Sequence, residues 1–308
     1  MQLVECVPNF SEGRRAEVIA AIRDAAASVP GVTVLDVHAD QTHNRMVLTF
    51  VGAPAAVAEA AFQCASQAAS LIDMTVQQGE HPRIGATDVI PFIPVSGVTM
   101  DECVALAQAV GRRVGDELGI PVYLYSRAAQ RPERVRLPDV RRGQYEGLRD
   151  TIESDPARAP DFGPARIGTA GATAIGARPF LVAYNINLAT DDLALAKQIA
   201  RSIRESSGGL PAVQALGMAT DDPNIMQVSM NLLDTSVTPL LTVFETVREQ
   251  ASAAGVDVIE SEVVGLLPMD VLVATTRTQI KAKALEAEQV IEARLLQALG
   301  SAEAPPAH

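Results

Sequence analysis

Lysine is nearly absent from this 308-residue chain, occurring only at Lys197, Lys281 and Lys283. Arginine supplies almost all the positive charge, yet Lys+Arg 25 against Asp+Glu 37 leaves a formal net charge of −12. That balance excludes non-specific nucleic-acid binding, which needs a basic surface. A small anionic ligand is not excluded, because a local arginine cluster can focus a positive field inside an acidic protein. The three cysteines, Cys6, Cys64 and Cys103, are an odd, widely spaced set flanked by apolar or small residues. They read as buried thiols of a reducing compartment, with no disulfide framework or zinc spacing. No apolar run reaches the roughly 18 residues of a membrane span. The first ten residues lack the basic-then-apolar pattern of a signal peptide. The expected location is therefore cytoplasmic.

Nucleotide and hydrolase signatures are missing too: no GxxxxGK[ST], no GxGxxG after a strand, no GxSxG and no HExxH. His38, His43 and His81 form no helical i, i+4 pair and have no neighbouring cysteine, so a metal site is not expected. Cys6 sits in an apolar strand, a setting that raises a thiol pKa and disfavours covalent catalysis. General acid–base chemistry on a histidine remains, since an imidazole accepts a proton near neutral pH.

With 48% hydrophobic residues the chain can bury a sizeable core. Strands are expected at Gln2–Cys6, Val32–Val37, Arg45–Val51, around Val89 and at Pro121–Tyr125. Helices are expected at Arg14–Ser28, with Ser11 or Gly13 near its start, from Pro54 to about Asp73, and at Thr99–Leu118. Thr99 and Glu102 make a capping-box pattern and Gly119 a stop. This is a split βαβ, ferredoxin-like order with an appended unit. A second βαββαβ follows, with strands at Phe180–Asn187, Ala212–Met218, Ile225–Leu233 and Val256–Val264. Its helices are Asp191–Glu205, begun by Thr190, and Thr238–Ala254. A short helix at Pro268–Thr276 and a terminal helix at Ile280–Leu299 precede a frayed end, Ser301–His308. The fold class is α+β, two ferredoxin-like subdomains with boundaries at 1–178 and 179–308.

Two regions resist this pattern. Residues 127–160 interleave Arg127, Arg131, Arg134, Arg136, Arg141, Arg142 and Arg149 with prolines and acids. They read as a solvated connection or as a partial lining for an anionic ligand. Asp161–Ala177 is rich in Gly and Ala, and reads as a flexible linker or as backbone that approaches a ligand closely. The most chemical stretch is Gly79–Val95, a polar loop with Glu80, His81 and Arg83 running into an apolar strand. A histidine on a loop clamped by a buried strand is held still, as a catalytic group requires.

Several motifs carry a family resemblance. Val4-Glu5-Cys6-Val7-Pro8-Asn9-Phe10-Ser11-Glu12-Gly13, Asn44-Arg45 with Thr49-Phe50-Val51-Gly52, and all of Gly79–Val95 resemble the glutamate formiminotransferase family. So do Pro121–Tyr125, Asp161-Phe162-Gly163-Pro164, Gly171-Ala172-Thr173 with Gly176-Ala177-Arg178, and Asn185–Leu188. The likeness runs from about Leu3 to Pro268. It implies transfer of a formimino group from N5 of 5-formiminotetrahydrofolate to the amino group of L-glutamate; the reverse direction serves histidine degradation. It implies His81, the histidine of Gly79-Glu80-His81-Pro82-Arg83, as the catalytic residue. Tetrahydrofolate is the implied co-substrate, without a metal. Two subdomains around an elongated folate cleft, usually in a homodimer, are the implied architecture.

Folate contacts are implied for Gly163, Pro164, Ala165, Arg166, Ile167, Gly168, Thr169, Ala170, Gly171 and Ala172. That segment departs from animal members in having no aromatic ring to stack on the pterin. Arg45, Arg83 and Arg178 are candidate partners for substrate carboxylates. His38 stands where some members have an acid that supports the histidine, with Asp40 or Glu80 as substitutes. The fused cyclodeaminase domain of animal members is not part of this sequence. The alternatives are a relative that uses 5-formyltetrahydrofolate and a folate-binding or partner-binding protein without catalysis.

Overall fold

The computed structural model describes residues 2–79 and 81–294. The chain divides into two compact units, Met1–Pro179 and Phe180–His308. The first runs β1 (Leu3–Cys6), β2 (Asn9–Phe10), α1 (Ala16–Ala27), β3 (Val32–Asp40), β4 (Arg45–Gly52) and α2 (Pro54–Leu71). It continues with β5 (Thr87–Ser96), α3 (Met100–Leu118), β6 (Val122–Ser126), two short helices α4 (Leu137–Val140) and α5 (Gln144–Thr151), and β7 (Thr173–Ala177). The second comprises β8 (Val182–Leu188), α6 (Leu193–Ile203), β9 (Val213–Ala219), β10 (Met226–Leu232), α7 (Leu240–Ala253), β11 (Val258–Val264) and α8 (Met269–Gln279). The mixed α+β class is as the sequence indicates, with one sheet in each unit.

Local signals set most of these boundaries. Pro54 opens α2, where a missing N–H is harmless. The Thr99 hydroxyl accepts from the Glu102 N–H at 3.2 Å, and the Glu102 carboxylate accepts from the Thr99 N–H at 2.7 Å. Gly119, at φ 64°, closes α3. Gly13 lies just ahead of α1, near its start as expected, and the adjacent Glu12 carboxylate accepts from Arg14 N and Arg15 N, both at 2.9 Å. One expected start is corrected: Asp192, not Thr190, caps α6, accepting from Ala194 N and Leu195 N. The expected continuous helix Ile280–Leu299 is also corrected. The chain leaves α8 at Gln279, Lys281 takes φ 54°, a single 3-10 turn forms at Ala287–Gln289, and α-helix resumes at residues 291–294. The remainder of that helix and Ser301–His308 lie outside the described residues.

In the first sheet β3 pairs with β4, β4 with β1 and β2, and β5 with β1 and β2, all antiparallel. The resulting order, β3-β4-β1-β5, recurs in the second unit as β9-β10-β8-β11. The helices α1, α2 and α3 cover one face of the first sheet, meeting Met46, Leu48, Phe50, Ile90 and Phe92. In the second unit α6 and α7 pack on Tyr184, Ile186, Val228 and Met230. Full burial of an aliphatic or aromatic side chain stabilises by about 1.5–3 kcal/mol, so these two cores hold the units together.

The Gly- and Ala-rich segment is not a linker throughout. Residues Thr173–Ala177 form β7, fully buried, between β5 and β6 and parallel to both. Small side chains there permit close packing: a Cβ on Gly176 would stand 2.4 Å from the Tyr125 carbonyl oxygen. Nor are residues 127–160 a solvated connection. Val140, Leu148 and Ile152 pack with Ile84, Val89, Tyr123, Tyr125 and Ala174 in a small core of their own. This second layer holds the His81 loop.

Candidate active site

The loop from Gly79 to Thr87 is gripped from three directions. On one side Asn44, itself at φ 48°, donates from Nδ2 to the Gln78 carbonyl at 2.8 Å and accepts from Gly13 N at 2.9 Å. On a second side Ala86 N donates to Ala170 O at 2.8 Å and Ala172 N to Ile84 O at 2.9 Å. Backbones meet so closely there that a Cβ on Gly85 would lie 2.0 Å from Ala172 O. Gly171, at φ 71°, faces the same contact, and its Cβ would lie 2.4 Å from Ile84 O. Only glycine satisfies both the closeness and the left-handed backbone.

The third grip comes from residues 141–146. Tyr145 N donates to Arg83 O at 2.9 Å. The Arg83 guanidinium donates to both oxygens of Glu146, at 2.7 and 2.8 Å, and to the side chains of Gln77 and Gln144. Its donors are thus engaged within the protein, in the planar two-pronged geometry that arginine favours.

Beneath the loop lies Asp88, wholly removed from solvent. Its Oδ1 accepts from Ile84 N at 2.9 Å. Its Oδ2 accepts from Arg45 Nη1 at 2.8 Å and from Arg141 Nη2 in a shorter contact. Two guanidinium charges hold its carboxyl down to about 2, against the burial that would raise it. Arg45 is further tied by the Asn9 side-chain oxygen, which accepts from Nη2 at 2.8 Å and from Nε at 3.2 Å. Arg45 and Asn9 therefore hold each other as a fixed pair around the carboxylate.

His81 is half-buried in this field. Its Nδ1 is 2.7 Å from the Pro82 carbonyl oxygen. A carbonyl only accepts, so Nδ1 carries the proton and Nε2 keeps its lone pair. Burial first, then the positive charges of Arg45 and Arg141, push the imidazolium down from 6.5 to about 3. At neutral pH the ring is an uncharged hydrogen-bond acceptor at Nε2. The His43 ring lies edge-on to it with centroids 6.4 Å apart, and His43 Nδ1 is 3.1 Å from Asp40.

The other expected site residues divide. Gly163 and Pro164 adjoin the α3–β6 end of the unit, where a Cβ on Gly163 would lie 2.5 Å from Ile120 O. Ala165, Arg166, Gly168 and Thr169 are exposed, whereas Ala170, Gly171 and Ala172 join the His81 loop. Ile167 packs partly on both cores of this unit. Arg178 stands apart from the loop contacts; its Nη1 donates to Pro179 O, and its charge acts on Glu5 and Tyr125. His38, on β3, pairs across to Val47, and Glu80 lies outside the described residues. Sequence reading missed Asn9, Asp88, Gln77, Gln144 and Glu146 as parts of this group. Asp88 alone left a signal, as a lone charge entering an apolar strand.

Cys6, Cys64 and Cys103 are all buried, and burial raises each thiol, Cys64 to about 12. A thiolate nucleophile is thereby disfavoured. Among the described residues no group of three or more His, Cys, Asp or Glu side chains is placed to hold a metal ion. No described helix is long and apolar enough to cross a membrane.

Known proteins align with the whole of this arrangement. The model of the formiminotransferase domain, N-terminal subdomain, matches residues 3–178, and that of the formiminotransferase domain matches residues 183–303. The chain is 47% identical over 297 residues to the glutamate formimidoyltransferase of Thermoplasma acidophilum, covering 96% of this chain and 98% of that one. It is 45% identical over 298 residues to the glutamate formimidoyltransferase of Streptococcus pyogenes serotype M1, covering 96% and 99%. Against the formimidoyltransferase-cyclodeaminase of Sus scrofa it is 51% identical over 278 residues, but spans only 51% of that protein's length. The chain belongs to the formiminotransferase family.

Proposed function

We propose that this chain is an enzyme that moves a formimino group between N5 of tetrahydrofolate and the amino group of L-glutamate, with His81 as the general acid and base. One observation carries the reading: an imidazole whose Nδ1–H is fixed on the Pro82 carbonyl, so that unprotonated Nε2 is its reactive atom. The two relatives of matching length are named for this activity, which supports it.

In the direction of transfer to glutamate, the neutral amine attacks the formimino carbon and Nε2 takes the proton that the nitrogen sheds as it bonds, a proton acidic enough there for a base held near 3. The tetrahedral adduct collapses when the imidazolium returns that proton to folate N5. A positioned acid–base group of this kind contributes roughly 10²–10⁴-fold. Holding both substrates in register contributes the rest as proximity. That demand explains why so much of the unit is spent on gripping one loop. Arg83 and Arg45 serve here by holding the loop and shaping the field at His81, since their donors are engaged by Glu146 and Asp88. The segment Gly163–Ala172, exposed at Ala165, Arg166, Gly168 and Thr169, is the folate-facing part of the reading, and Arg178 a further carboxylate partner. The reading also places the enzyme in the cytoplasm as a homodimer.

The test is turnover of N-formimino-L-glutamate with tetrahydrofolate, followed as 5-formiminotetrahydrofolate. Turnover of only the 5-formyl donor selects the formyl-specific relative. Folate binding without turnover of either selects a binding protein.

A further inference from the structure

Arg141 is the least satisfied cation beside His81. It follows α4, and its side chain is only 12% exposed. Asp88 takes one contact from its Nη2, while its Nε is buried with no hydrogen-bond partner. A buried donor left unpaired is costly and calls for an acceptor. Arg45 differs, because Asn9 and Asp88 together occupy Nε, Nη1 and Nη2. The single carboxylate of Asp88 faces two guanidinium groups, so the cluster carries one uncompensated positive charge.

We infer that Arg141 binds the α-carboxylate of the amino-acid substrate, its unpaired guanidinium edge being the anion subsite next to His81. This rests on the formiminotransferase reading. The chemistry selects that carboxylate: it is attached to the same carbon as the reacting amine, so a base placed on the amine has it alongside. The folate carboxylates lie at the far end of the aminobenzoyl arm from N5, and the glutamate γ-carboxylate lies beyond two methylenes. A guanidinium fork also matches a carboxylate better than a lysine ammonium would.

The bound carboxylate also acts on His81. The groups facing it are Arg45 on β4, Asp88 on β5, Arg141 after α4, the Pro82 carbonyl, and the His43 ring with Asp40. An arriving carboxylate cancels the surplus positive charge, which raises the affinity of Nε2 for a proton. The base strengthens when its substrate is in place.

Steady-state kinetics in both substrates test this, together with an NMR titration of His81 assigned by His81→Gln. For Arg141→Met the KM for formiminoglutamate rises on the order of 10- to 100-fold, as for loss of a charged hydrogen bond. The KM for tetrahydrofolate stays within about twofold, and the His81 titration of the free enzyme moves upward. Glutamate alone moves that titration upward in the parent and not in the variant. Arg141→Lys keeps the charge on Asp88 without the fork, so KM rises while the free-enzyme titration stays at the parental position. A folded Arg141→Met or Arg141→Lys with the parental KM for formiminoglutamate overturns the inference. A parent that turns over neither donor, yet whose His81 responds to glutamate only when Arg141 is present, overturns formimino transfer and leaves the carboxylate subsite standing.

Discussion

Arg83 and Glu146 form a two-pronged ion pair, Nη2 to Oε1 at 2.7 Å and Nη1 to Oε2 at 2.8 Å. It ties the His81 loop to α5, across 63 residues of sequence. The Glu146 side chain is 52% exposed, so solvent screens the pair and it adds little to global stability. Its role is to fix the orientation of the residue two places after His81, the proposed acid–base group.

Glu146→Ala therefore separates activity from stability. We expect a melting temperature within about 2 °C of the parent, since exposed pairs contribute 0–1 kcal/mol. kcat should fall about tenfold or more, because small misplacements of a reacting group are amplified in rate. Differential scanning calorimetry and initial rates check the two halves.

Asp88→Asn should be far more damaging to the fold. Removing the charge leaves Arg45 and Arg141 buried without their counter-ion, a change that destabilises by about 3–5 kcal/mol. Urea denaturation measures it. The pH dependence has a definite sign. Asp88 sits at about 2 in the folded protein against an ordinary 3.8, so it stabilises the fold above pH 3.8 and loses that contribution as the pH falls towards 2.

His81 predicts a separate and milder acid window. Its folded value, about 3, lies below its ordinary 6.5, so the unfolded chain binds the proton first. Stability attributable to His81 is complete above pH 6.5 and declines as the pH falls to 3. Replacement by Gln should flatten the stability curve across that interval, measured as denaturation midpoints at successive pH values.

Gly85→Ala and Gly171→Ala test the contact between the His81 loop and the proposed folate segment. The Cβ of the second meets both a carbonyl oxygen and a backbone at φ 71°. The backbone penalty alone is about 1–3 kcal/mol. Both variants should lose stability, and any folded fraction should lose kcat along with it.

Much of the fold could be read from local chemistry. The capping box of Thr99 and Glu102, the proline at the start of α2 and the alternating strand β10 each express short-range rules, and all are observed. The segment Thr173–Ala177 could not be read, because glycine and alanine suggest flexibility unless the two flanking strands are known. The same limit applied to the site. His81 announced itself through its motif, whereas its shift from the ordinary 6.5 down to about 3 comes from burial and the distant Arg45 and Arg141. Arg141 and Glu146 sit in an aperiodic run of charges, and which of them turn inward depends on long-range placement of Asp88 and Arg83. Asp192 displaced Thr190 as a cap because two neighbouring polar residues offered equivalent local patterns.

We propose that His81 Nε2 moves the proton in formimino transfer. Its most direct test is the kcat of the parent and of His81→Ala with formiminoglutamate and tetrahydrofolate, at equal folate occupancy. The expected loss is roughly 10²–10⁴-fold with little change in KM. Parental kcat in a folded His81→Ala enzyme would contradict it.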